Sequence, residues 1–262
     1  MKKLIITLIL LSLSFGFENK KVENLMGEEK FQTYNKLLDK IFVDNNNSIK
    51  NIVTKLKNNG LLDLFFNEAK LIQTKFIFKD NENIVNTKIL NDTLISLGYY
   101  YFYPVNIIKN GNTFELDIEF KSEHYIDPIS FINEIESRGC KVNDVFRKDQ
   151  SYNYQITCNN IIMKKAHFLT NDNANYINAN GVYWIDNNDN YSKISIKTRK
   201  IDYWHPSVWF YDEKLNILNY VKINQKTTNL TLKIPAGCKY IKITDIYSAE
   251  NFKRGIIVKG LK

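Results

Sequence analysis

Residues 127–158 read DPISFINEIESRGCKVNDVFRKDQSYNYQITC, and this stretch decides the fold. Asp127 is a helix cap with Pro128 at the first helical position. Phe131, Ile132 and Ile135 recur at helical spacing, so one face of the helix is apolar. Gly139 ends the helix, because glycine takes the left-handed conformation at a helix stop. A hairpin follows, with strands over residues 141–146 and 152–157 around the turn Lys148-Asp149-Gln150-Ser151. Cys140 and Cys158 lie almost equally far from the turn centre. Antiparallel pairing therefore sets them opposite each other, within disulfide reach.

Upstream, the same order recurs. Residues 71–78 read as a strand, and residues 87–97 as a helix with Ile89, Leu90 and Leu94 on one face and Gly98 at its end. Residues 99–108 form an aromatic, β-branched strand, Asn110-Gly111 the tight turn, and residues 113–120 the next strand. Residues 70–160 thus run strand–helix–strand–strand–helix–strand with one extra strand. That is the ferredoxin-like, split βαβ plan, with helices on one face of an antiparallel sheet.

Before it, residues 17–69 read as a helical segment. Val22, Leu25, Met26, Tyr34, Leu37, Leu38, Ile41 and Phe42 step by three and four, and Ile49, Ile52, Val53 and Leu56 repeat the step. Both read as amphipathic helices with a buried stripe. After residue 160 the helical period vanishes. Residues 191–200, 208–211, 215–223, 229–234, 240–246 and 255–259 read as strands, and their close spacing makes residues 161–262 a β-sandwich. The fold class expected is α+β.

Within that half, Val208-Trp209-Phe210-Tyr211-Asp212-Glu213, Leu215, Leu230-Thr231-Leu232-Lys233-Ile234-Pro235-Ala236-Gly237 and Lys239-Tyr240-Ile241-Lys242-Ile243 follow in order. This series resembles the galactose-binding-type jelly rolls. The resemblance covers about a quarter of the chain. It implies a jelly-roll sandwich, in a family where many members bind sugars and others are spacers.

The first sixteen residues have a different character. Lys2 and Lys3 precede an uncharged apolar run over residues 4–13, and Ser14-Phe15-Gly16 puts small residues at −3 and −1 of a cleavage point. This is the pattern of a secretory signal peptide, cut near Gly16–Phe17. The run is too short to span a bilayer, and no later segment is long enough either. The expected address is the periplasm or the exterior, where disulfides persist and nucleic acid is not expected as a partner. The net charge of +8 loses two units with Lys2 and Lys3, and the remaining lysines are scattered.

Site candidates are few. Asp202, Tyr203, Trp204, His205 and Trp209 form an aromatic cluster in which exposed rings could stack on a sugar while polar neighbours bind hydroxyls. Asn46, with Asp44 before it and Ser48 after, resembles the extended N-glycosylation sequon of some Gram-negative bacteria. The runs 171–173 and 186–190 could offer oxygens to calcium but read better as turns. Glu123, His124 and Asp127 are the one acid–base cluster. No nucleophile elbow, zincin or phosphate-loop motif is present, and Cys238 has no base partner in the sequence. The expectation is a non-catalytic envelope protein without metal or cofactor, acting as an interaction or assembly module on an envelope protein. Carbohydrate binding through the sandwich stands second and a hydrolase third.

Overall fold

The computed structural model describes residues 19–43, 48–80, 82–148, 151–178 and 180–262. The segment expected to be a signal peptide, Asn46 and the turn centre at Asp149–Gln150 lie outside them. The fold is α+β, and the chain divides into two compact units after Ile162.

The first unit opens with helices α1 (residues 19–26), α2 (Glu28–Ile41) and α3 (Ile49–Asn58). The sheet is built from β1 (Phe65–Phe78), β2 (Tyr103–Asn110), β3 (Thr113–His124), β4 (Cys140–Lys148) and β5 (Ser151–Cys158), with α4 (Asn83–Ser96) and α5 (Pro128–Glu136) between strands. The strand order is β2-β3-β1-β5-β4. An antiparallel ferredoxin-like sheet would put the strand after α5 directly beside β1. Here that strand, β4, runs to the edge, and the hairpin brings β5 back beside β1 in parallel. The sheet is therefore mixed, a correction to the all-antiparallel expectation.

Even-numbered residues of β1, β3 and β5 face the helices. Phe76 stacks on Tyr154 at 5.4 Å, and Phe131 of α5 packs on both rings. The α5 boundaries follow the sequence signals. Asp127 Oδ1 accepts from the Ile129 amide at 3.2 Å. Gly139 sits at φ 82°, and a Cβ there would lie 1.7 Å from the Asn160 carbonyl oxygen, so no other residue fits. Buried Arg138 ties α4 to α5, donating to Ser96 Oγ and Glu134 Oε1 (both 2.8 Å). In α3 the expected stripe Ile49, Ile52, Val53 and Leu56 is buried, and Lys57 reaches Asp127 at 2.6 Å. In α2 only Leu38 is buried, while Tyr34 and Leu37 stay exposed, so the continuous stripe expected there is not formed.

Cys140 and Cys158 face each other across the β4–β5 ladder and are bonded. The disulfide expected from their spacing is present.

The second unit is a sandwich of two sheets. One has the order β11-β10-β13-β8-β6, from β6 (Ala166–Phe168), β8 (Tyr183–Asp186), β10 (Pro206–Tyr211), β11 (Ile217–Lys222) and β13 (Tyr240–Asp245). The other has β12-β9-β14-β7, from β7 (Ala174–Tyr176), β9 (Lys193–Lys197), β12 (Asn229–Lys233) and β14 (Ile256–Leu261). Alternate residues of both sheets meet in one core, including Ile185, Ile194, Ile196, Val208, Phe210, Ile241 and Val258.

Candidate functional site

The five residues singled out between 202 and 209 do not form one surface. Trp204 is wholly buried, stacked on Phe252 at 4.8 Å with rings 5° from parallel, and its Nε1 donates to the Thr244 carbonyl at 2.9 Å. Asp202 is buried as well. It accepts from the Arg199 amide and from Arg254 Nη1, each at 3.0 Å, and so pins its loop. The His205 amide donates to Asp245 Oδ2 at 2.6 Å, and its ring packs edge-on against Tyr247. Tyr203 is exposed, with Lys226 Nζ 3.9 Å from its ring centre. The proposed platform is thus corrected: Trp204 and Asp202 hold the sandwich together and cannot meet a sugar. The reason is parity. Trp204, Pro206, Val208 and Phe210 share the inward side of the segment entering β10.

Trp209 points the other way. Cross-strand pairing lines up Tyr220, Trp209, Lys242 and Trp184 in one row across β11, β10, β13 and β8. Trp209 and Tyr220 stack at 5.0 Å, Lys222 Nζ lies within 6 Å of both rings, and Lys242 Nζ is 5.8 Å from Trp184. Lysine ammoniums thus stand as cation–π partners beside the rings of this outer row.

The acid–base cluster also separates. Asp127 is committed to α5. Burial pushes its carboxyl up, yet hydrogen bonds from Lys57 and Ser130 prevail and hold it below the usual range. His124 Nδ1 lies 3.0 Å from the Tyr125 carbonyl and 3.2 Å from Tyr99 Oη, and burial pushes the Tyr99 hydroxyl up to about 12. Glu123 is exposed. Cys238 is buried, and burial raises its thiol to about 11, so it is a poor nucleophile at neutral pH. Asn187 closes its turn by bonding the Tyr191 amide at 2.9 Å, and Asp186 pairs with Lys239 at 2.8 Å. Among the described residues no group of three or more His, Cys, Asp or Glu is placed to hold a metal, and no helix is long and apolar enough to cross a membrane.

The sequence reading missed an open apolar edge, which lies on β2. Among the described residues β2 pairs with β3 alone, and every one of its eight residues is exposed. Tyr103 and Ile108 stand on one face. Ile107, 62% exposed, stands on the other, beside a groove of about 310 Å³ lined by Leu90, Ile95, Tyr100, Phe102 and Leu116. Unpaired backbone groups beside apolar side chains make a template for another strand. The sequence signal was present. Residues 99–108 are apolar without alternation, which fits a strand with both faces covered.

No protein-family model matches the chain, and the comparison with curated proteins gave no match. Among solved structures a match was found to the secreted serine protease VesC from Vibrio cholerae, at 8% identity and a TM-score of 0.22. It covers 60% of this chain and 39% of that one, so the chain spans about two fifths of the protease. The neighbour is named as a serine protease, which runs against the expectation of a non-catalytic chain, and that expectation is withdrawn without an activity being put in its place. A likeness this slight carries no argument about fold or activity.

Proposed function

We propose that this is an exported cell-envelope protein serving as an interaction or assembly module, and that an extended apolar segment of a partner protein docks on β2. The carrying observation is the edge itself: eight exposed residues, unpaired on one side among the described residues, with the apolar groove alongside. Strand addition would fill the backbone hydrogen bonds, and alternate side chains would enter the groove. Export is supported by the N-terminal sequence pattern and by the Cys140–Cys158 bond, since such bonds persist in oxidising compartments.

A photo-crosslinking residue at position 107, in cells, tests the docking. The expected result is one discrete partner adduct, in the envelope fraction, that disappears in a Val105→Pro variant with unchanged thermal stability. Adducts of equal yield from position 203, in the other unit, would reject β2 as the docking site.

Glycan binding is the second reading. It is favoured only by the outer row Tyr220–Trp209–Lys242–Trp184. It requires that Trp209→Ala weaken binding of the full chain on a glycan array, and that Trp204→Ala act through stability alone.

A further inference from the structure

The face of the first unit's sheet that points away from α4 and α5 holds a second feature. β1 and β5 pair in parallel only over Phe76–Phe78 and Tyr154–Ile156. Before that the strands part. The Lys75 amide donates to the Asn153 side chain at 2.9 Å instead of to a strand carbonyl, and Thr74 Oγ1 lies 3.3 Å from Ser151 Oγ. A cleft of about 430 Å³ opens where they separate, a size typical of small-ligand sites.

Its polar floor is unfinished. The Asp117 side chain is 8% exposed, and its Oδ1 takes no hydrogen bond. The ammonium of Lys75 stands 3.6 Å from that oxygen but donates at 3.0 Å to Glu115. Asp117 Oδ2 has only a long contact, 3.4 Å, from Asn106. A buried carboxylate oxygen whose one cation stands off at 3.6 Å is incompletely satisfied, and a donor brought by a ligand would complete its shell. Across the cleft, on β4, lies Lys148. The lining charges balance, two acidic and two basic, so a ligand with both signs fits them better than a simple anion or cation. Ile77 and Phe146 supply apolar walls.

We propose that this cleft binds a short zwitterionic peptide, with its ammonium on Asp117 and Glu115, its carboxylate on Lys148, and apolar side chains against Ile77 and Phe146. The length follows from the strands. Asp117 and Lys148 sit on β3 and β4, three strand spacings apart and two residues out of register, about 16 Å in all. The flexible stem of Lys148 shortens that gap. Two or three extended residues cover about 7–11 Å of it.

The test is calorimetric titration of the full chain with Leu-Phe, N-acetyl-Leu-Phe and Leu-Phe amide. Leu-Phe should bind, and each capped form should bind at least tenfold more weakly. Asp117→Asn should weaken Leu-Phe at least tenfold while leaving the acetylated form unchanged. Lys148→Met should do the same against the amide, and as a change at an exposed residue it keeps the test valid if Asp117→Asn fails to fold. No heat with Leu-Phe at millimolar concentration, or equal affinity for all three peptides, overturns the proposal.

Discussion

Removing the disulfide gives the sharpest test of the first unit's architecture. Cys140 and Cys158 are 18 residues apart and close the β4–β5 hairpin. In the chain-entropy treatment, a cross-link over a loop of that length stabilises by about 3 kcal/mol through its effect on the unfolded chain. With an m-value of about 2 kcal/mol/M in urea, the Cys140→Ser/Cys158→Ser variant should lose about 1.5 M in its midpoint. The loss should be confined to one unit, and the chain supplies two separate reporters. Among the described residues all five α-helices lie before Ile162, and only the four-residue 3-10 turn Ala249–Phe252 lies after it, so the helical circular dichroism signal follows the first unit. All three tryptophans, Trp184, Trp204 and Trp209, lie after it, so their fluorescence follows the second. The dichroism transition should move and the fluorescence transition should stay. An unmoved dichroism midpoint, or equal movement of both, would refute the reasoning that the bond is a local staple of the first unit.

Trp204→Ala should cost about 3–5 kcal/mol in the second unit, read from the fluorescence of the two remaining tryptophans, because it empties a core site and orphans the Thr244 carbonyl. Tyr203→Ala, one residue away and exposed, should stay within about 0.5 kcal/mol. The second unit should also weaken in alkali. Burial raises the folded Cys238 thiol to about 11 and Tyr240 to about 12, so the folded state holds their protons more tightly than the unfolded chain. This stability is whole below about pH 9, where the unfolded thiol begins to ionise, and is lost as pH climbs through 11. A urea midpoint that falls between pH 8 and 10.5, and falls less in Cys238→Ala, is the expected outcome; a flat profile would contradict it.

Much of this fold is written locally. Asp127-Pro128, Gly139 and the two cysteines fix a helix, its end and a hairpin register within 32 residues, and the structure repeats them. What the local signals cannot specify is which strand of that hairpin lies beside β1. β5 presents Tyr152, Tyr154 and Ile156 to the helices and takes the interior place, whereas β4 carries Lys141, Asp144, Arg147 and Lys148 and takes the edge. The strands β6, β7 and β8 have three or four residues each, too few for alternation to register. From sequence, Pro206 makes the segment around Trp204 read as a loop. Proline is tolerated at the first position of a strand, and that is where Pro206 sits, so the inward parity of Val208 and Phe210 runs back through it to Trp204. The cleft at Asp117 depends on β1, β3, β4 and β5 meeting, a long-range fact without any sequence motif.

The two edges of the first unit's sheet are treated in opposite ways, and this carries most weight for a docking role. β4 carries four charged side chains in nine residues and is stapled to its neighbour by the disulfide. Charge on an edge strand discourages pairing with another chain. β2, at the other edge, has one charged residue in eight, Lys109, and leaves Tyr103, Val105, Ile107 and Ile108 exposed. Pro104 and the register irregularity at Val105 are its blunting features. An edge so apolar invites uncontrolled association unless something covers it. A margin guarded by charge opposite one left apolar is what the proposed docking on β2 requires, and the groove beside Ile107 would give room for the incoming side chains.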